Sequence, residues 1–462
     1  MHIIPELDAI LASDQDEALK TLQDWIRIPS VRAGASAPNA PFGKDVRRML
    51  DQAMLDIAKT GLVPRDVDGY ACDTEIGQGE EVIGMLAHLD VVPEGTGWTQ
   101  PPYGATIVDG RLYGRGTSDD KGPAVAALYA MRAVKEAGIP LKRRVRLILG
   151  CDEESGMDDI AYYDRKIGLP ARGFSPDAEF PVINTEKGIL QMEVSGALDS
   201  AAGTYVLLSV QSGTRPNVVP NTAVARLSGE YDKLLAAVTD ACKKLSVAFE
   251  LTREDDENLL TVRGTSAHAS MPWDGVNAAS ALLRVLREIG VGGEKLSLLT
   301  DAIALAWDGS GLGIAGEDKV SGKLTCNLGL LSYDGAQLRA TLDCRYPVFF
   351  DDQQITHFAA QNLAACGFSL MSGHASKPHH VPASSEIVTK LLDVYHEITG
   401  LDAHTLAIGG GTYARTMKEA VAFGALFPGE VELAHQADEN IDMKRFYLTI
   451  RIFAYAIVAL AA

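Results

Sequence analysis

The feature that most constrains the fold is a change of periodicity partway along the chain. Residues 16–28, 45–60 and 123–137 carry helical spacing, and short apolar runs at 81–87 and 145–150 lie among them. Helices alternating with strands imply an α/β sheet, whose ligand sites gather beyond the carboxyl ends of the strands. The boundaries have local causes. Pro29 keeps the residue before it out of the α region, Gly61 and Gly138 suit helix ends, and Pro123 suits a first turn. From about residue 187 to 381 the pattern changes: segments 259–264 and 338–345 alternate with period two, and helical stretches near 231–247 and 277–289 sit among them. After Pro382 the helix and strand alternation resumes. The expectation is one domain assembled from residues 1–186 and 382–462, interrupted by an α+β insertion over 187–381. A length of 462 residues agrees, since single cores rarely exceed roughly 250–300 residues.

Charge excludes one class of partner. The formal net charge is -19 and no run of Lys and Arg stands out, so a nucleic-acid partner is not expected. The N-terminal segment is acidic and amphipathic, unlike a signal peptide, and no stretch approaches the ~20 apolar residues of a membrane span. The apolar C-terminal segment 453–462 fits a buried helix end. Cys72, Cys151, Cys242, Cys326, Cys344 and Cys366 lie far apart, which suits reduced, mostly buried thiols and a cytoplasmic location.

Five short segments concentrate chemistry. His88-Leu89-Asp90 follows the run 81–87; in extended chain, residues i and i+2 face one way, so an imidazole and a carboxylate suit a metal ligand and the group that orients it. Taken alone, such a triplet is more often a satisfied surface pair. Asp119 and Asp120 close a glycine-rich turn before a helix, where acids also serve as caps. Asp152, Glu153 and Glu154 crowd the exit of the strand 145–150, and such like charges are costly without cations. If Glu154 ligates a metal, Glu153 stands beside it as a candidate base. Asp177 in PDAE and His435 in HQADE complete a mixed N/O donor set suited to two divalent ions sharing a carboxylate, with zinc first and manganese or cobalt as alternatives. His379-His380 is read as surface, in the return from the insertion.

In order along the chain, AHLDVVP, LYGRGTSDDKGP, CDEESG, SPDAEFP and HQADE resemble the motif series of the co-catalytic zinc exopeptidases related to carboxypeptidase G, aminoacylase and carnosinase. GRGTSDDKGP, GTRPNVVPN and GGGTYAR are most similar to the PepV-type bacterial dipeptidases of that family. The resemblance implies a three-layer α/β/α catalytic domain with a large inserted α+β lid. It implies that His88, Asp119 and Asp177 hold one metal and Asp119, Glu154 and His435 the other, with Asp119 bridging. It makes Glu153 the general base, Asp90 the carboxylate orienting His88, and Asp119-Asp120 a cis peptide. In the insertion it makes His268 the oxyanion-stabilising residue, with Asn217 as its partner. Arg345 becomes the clamp on a substrate carboxylate, and Gly410 and Gly411 belong to the loop seating that same end. The activity implied is metal-dependent hydrolysis of dipeptides; the alternative is an amidase acting on N-acyl amino acids. Related enzymes often borrow the lid histidine from a second subunit. This insertion is long enough to supply both halves itself, so a working monomer is expected.

Overall fold

The structure is a computed structural model and describes residues 3–199 and 204–462. Two compact units emerge: Met1–Asn184 with Val381–Leu406 and Gly411–Ala462, and Thr185–His380 with Ala407–Gly410.

The first unit is built on a sheet in the order Arg65–Val67, Ala71–Ile76, Arg144–Gly150, Val82–His88, Arg172–Ser175, Glu419–Ala422. Its centre is parallel: Val82–His88 runs with Arg144–Gly150 and Arg172–Ser175, and the last runs with Glu419–Ala422. Strand periodicity separates the two faces. Met85, Ala87, Leu147, Leu149 and Val421 join the larger core, whereas Leu86, Ile148 and Ala420 join the smaller one. The larger core is closed by Gln15–Ile26, Lys44–Lys59, Lys121–Glu136, Glu386–Thr399 and Met443–Ala461. Asp158–Lys166 and the short turn Tyr413–Thr416 close the smaller one. This is a three-layer α/β/α arrangement.

Local sequence explains the elements. In Gln15–Ile26, Ala18, Leu22, Trp25 and Ile26 form one buried stripe at helical spacing. The Trp25 indole, fully buried, donates to Asp56 Oδ2 at 2.9 Å, so its polar atom is not orphaned. The helix expected from Pro123 begins two residues earlier, at Lys121, because a proline in the first turn lacks only an N–H that has no intrahelical partner. The segment 453–462 is the buried end of Met443–Ala461, as expected. No helix among the described residues is long and apolar enough to cross a membrane.

The second unit carries an antiparallel sheet in the order Ala248–Glu254, Glu257–Arg263, Thr222–Ser228, Val206–Ser212, Thr325–Tyr333, Leu338–Tyr346, Gly188–Gly196, Ser369–Ser376. Tyr231–Leu245, Ala278–Glu288, Gly293–Ile303 and Asp352–Ala365 share one core with it. His379–His380 forms a two-residue strand against Thr185 and Glu186, and His380 bonds the Thr185 hydroxyl at 2.9 Å; the pair is half-buried rather than fully surface. All six cysteines are free, and only Cys366 is not buried.

One close approach fixes the parallel centre. Gly173 lies opposite Gly84, and an added Cβ would collide with the Gly84 carbonyl. Gly173→Ala is therefore expected to destabilise the chain by about 1–3 kcal/mol, the usual cost of overpacking, read as a lowered thermal midpoint.

Candidate active site

Three neighbouring parallel strands deliver their functional residues to one sheet edge. His88 is the last residue of Val82–His88 and pairs with Gly150, so residues 151–154 leave the sheet beside it. Asp177 follows Arg172–Ser175 on the next strand. Asp119 closes the turn before Lys121–Glu136, with a cis peptide to Asp120, and His435 comes from a later loop. His435 has φ of 64°, a region unusual for a residue with a side chain and more common at functional sites.

These residues converge on Asp119. His88 Nε2 lies 2.9 Å from Asp119 Oδ1 and 3.7 Å from Asp177 Oδ2. His435 Nε2 lies 3.0 Å from Asp119 Oδ2 and 2.9 Å from Glu154 Oε2. One carboxylate thus offers one oxygen to each imidazole. Ligand-capable atoms of His88, Glu153 and Asp177 lie within 4.8 Å of one another, as do those of His88, Asp119 and Glu154.

The electrostatics ask for cations. Burial first, then the charge of Asp177, push the Glu153 carboxyl well above its usual range. Burial and Asp119 raise Asp177 to about 7, and the same two causes raise Glu154. Asp119 moves the other way: burial opposes ionisation, but hydrogen bonds to His435 and His88 outweigh it. For His88, burial disfavours the charged ring, yet Asp119 and Asp90 hold it well above its usual value; in half-exposed His435 partial desolvation is outweighed by Asp119 and Glu154, which push it up to about 11. Two carboxylates about 4 Å apart at an effective dielectric near 20 repel by about 4 kcal/mol, so this cluster cannot all ionise on its own. Among the described residues no Lys or Arg ion-pairs with Asp119, Glu153, Glu154 or Asp177. A further buried oxygen, Asp120 Oδ1, has no hydrogen-bond partner. The donor chemistry and the missing positive charge fit divalent ions, which His88, Asp119, Glu154 and Asp177 could hold together with His435, whose Nε2 faces Asp119 and Glu154.

Surrounding groups hold the set in place, several of them not singled out by the sequence. The His88 Nδ1–H donates to the Asp90 backbone carbonyl at 2.9 Å, leaving Nε2 directed at Asp119. The Asp90 carboxylate, expected to orient His88, stands 3.5 Å from Nδ1 and accepts from the Glu153 and Glu154 backbone N–H groups at 3.2 Å each. Asp120 Oδ2 accepts from the His88 backbone N–H at 3.0 Å. Fully buried Glu439 accepts from the backbone of Gly116, Ser118 and Asp119 at 2.9–3.2 Å, and from Arg115 at 2.7 Å. It lies in the HQADE segment, but nothing in the chain's periodicity marks it as the cradle of Asp119.

The remaining candidates lie in the second unit, apart from Gly411, which belongs to the first. Asn217 and His268 sit on adjoining segments: Val218 bridges His268, and Ala269 donates its N–H to the Asn217 carbonyl at 2.9 Å. His268 Nδ1 and Ser270 Oγ are 2.7 Å apart. Arg345 is buried and already paired: Nε and Nη2 donate to Asp343 at 2.6 and 3.2 Å, and Nη1 donates to the Gly409 carbonyl at 2.9 Å. Gly409 packs so closely on Ser270 that an added Cβ would clash with it, so His268, Ser270, Gly409 and Arg345 form one connected group next to Gly410.

Comparison with known proteins places the chain in a family. Residues 84–459 match the model of the peptidase family M20/M25/M40. A Bacillus subtilis (strain 168) protein named "Putative dipeptidase YtjP" is 38% identical over 455 residues, covering 97% of this chain and 98% of that protein. The crystal structure of human carnosine dipeptidase 1 shares the fold at 15% identity, with a TM-score of 0.59 and 98% of each chain covered. The Bacillus subtilis YXEP protein, described as a dinuclear metal binding peptidase of the same family, aligns at 12% identity with a TM-score of 0.50, covering 97% of this chain and 99% of that one. The chain belongs to peptidase family M20/M25/M40 and is a peptide hydrolase.

Removing the buried Glu439 charge tests the cradle. Glu439→Ala leaves Arg115 Nη1 and several N–H groups without their acceptor and is expected to cost about 3–5 kcal/mol. Glu439→Gln, which keeps an acceptor, should lose less; thermal unfolding of the two variants compares them.

Proposed function

We propose that this chain hydrolyses dipeptides with two divalent metal ions, zinc in the first instance and manganese or cobalt as alternatives. The observation carrying the reading is the division of the two Asp119 oxygens between the His88 and His435 imidazoles. The relative named as a dipeptidase and the neighbour described as a dinuclear metal peptidase support it. In this reading His88, Asp119 and Asp177 hold one ion, and Asp119, Glu154 and His435 hold the other. When bound, such ions polarise a carbonyl and acidify water.

The protein's own groups do the rest. Glu153 accepts the proton of the attacking water and delivers it to the leaving amine, as its position among His88 and Asp177 allows. Its raised affinity for a proton, caused by burial and by Asp177, suits a group that must carry one. Asp90 fixes the Glu153 backbone and the His88 tautomer together. In the second unit, His268 stabilises the oxyanion with Asn217 beside it, and Arg345 binds the substrate's carboxylate, assisted by backbone groups of Gly410 and Gly411. The pairing of Arg345 with Asp343 and Gly409 holds its guanidinium in one orientation for that task. The chain acts as a monomer in the cytoplasm, a setting consistent with its free cysteines.

Glu153→Ala should retain its metal content and lose turnover of free dipeptides by on the order of 100-fold or more; near-normal turnover would sink its role. Chelation should abolish hydrolysis, and readdition of zinc or manganese should restore it. N-acetylated dipeptides should be poor substrates, whereas an amidase would prefer them. For the monomer, mixing His268→Ala and Glu153→Ala proteins should leave both inactive; regained activity would show that the histidine is supplied by a partner.

A further inference from the structure

Tyr413 lies in GGGTYAR, a segment whose glycines draw attention away from it. Its side chain is fully buried and does two things at once. The phenol donates a hydrogen bond to Asp159 Oδ2, and the ring stands edge-to-face against the His88 imidazole, with centroids 6.3 Å apart at 89°. Such a separation and angle are those of an attractive aromatic pair.

Asp159 in turn governs the other side of the site. It is fully buried and accepts from the backbone N–H groups of Cys151 at 2.5 Å and Asp152 at 2.9 Å. These residues lead directly into Glu153 and Glu154. Gly150, the strand residue paired with His88, is enclosed by the same two side chains: an added Cβ would run into both the Tyr413 hydroxyl and Asp159 Oδ2. The pair therefore fills the space where the strands carrying His88 and Glu153 leave the sheet, and touches the products of both.

We infer that Tyr413 and Asp159 are positioning residues that set the His88 ring and the Glu153 backbone relative to each other. The inference rests on His88 being a metal ligand and Glu153 the base. Neither Tyr413 nor Asp159 contacts a ligand oxygen in the site. They act through the imidazole they pack against and the peptide groups they hold.

Two substitutions separate the roles. Tyr413→Phe keeps the ring against His88 and deletes only the bond to Asp159. It should lower kcat on a free dipeptide by about 10-fold or more, in the 10–100-fold range seen for groups supporting a metal site, with KM within about twofold. Zinc affinity, measured by chelator competition without substrate, should change little. Tyr413→Leu also removes the ring and should weaken zinc binding by about 10-fold or more. Asp159→Asn, which keeps the size of the acceptor, should follow Tyr413→Phe if Tyr413→Leu fails to fold. A purely structural pair would lower the thermal midpoint while leaving kcat per folded molecule and zinc affinity within about twofold, and that result would overturn the inference. Should the unaltered protein bind no zinc or hydrolyse no dipeptide, the underlying reading fails instead.

Discussion

Asp119 presents one oxygen to His88 and the other to His435, and much of the first unit serves to keep that carboxylate ionised and in place. Burial alone would protonate it; the two imidazoles prevent this. Its position depends on Glu439, which gathers the N–H groups of the turn from Gly116 to Asp119, and on Arg115, which balances the buried Glu439 charge. The turn ends where Lys121–Glu136 begins, so the helix that packs the larger core also sets the location of Asp119. Core packing and site geometry are in this sense one constraint.

The parallel strands supply the second half of that constraint. Because Val82–His88, Arg144–Gly150 and Arg172–Ser175 run the same way, their carboxyl ends bring His88, the acids at 152–154 and Asp177 to one edge. An antiparallel neighbour would have placed one of them at the opposite edge. Parallel pairing also explains the near-continuous apolar strands, since both faces are covered by helices.

Much of this was legible in the sequence because it is local. Periodicity reports which face of a strand or helix is apolar, and the five helical stretches and two period-two segments given bounds from the sequence fall where it placed them to within a few residues, whereas it gave no bounds for Gly293–Ile303, Asp352–Ala365 or Glu386–Thr399. The motifs singled out the residues that the structure assembles around Asp119. What the sequence could not report is pairing across distance. Glu439 meets Arg115 from 324 positions away and Tyr413 meets Asp159 from 254, and neither leaves a periodic trace. Arg345 is an instructive intermediate. Its partner Asp343 lies two residues earlier on the same strand, so LDCRY carries the signal of a pre-formed pair, visible once i and i+2 are known to share a face.

The acids that surround the ligands share a habit. Asp90, Asp120, Asp159 and Glu439 all direct oxygens at backbone N–H groups, and of these four, among the described residues, only Glu439 also pairs with an arginine. Backbone dipoles fix a carboxylate's position but do not cancel its charge. Negative charge therefore accumulates around Asp119, Glu153, Glu154 and Asp177, and burial amplifies it, driving Asp120 and Glu153 toward their neutral forms. Arginines in these places would have relieved the repulsion and filled the site with side chains. Holding the acids by peptide groups instead leaves the compensating charge to bound cations, and ties the ionisation of Glu153 to their presence.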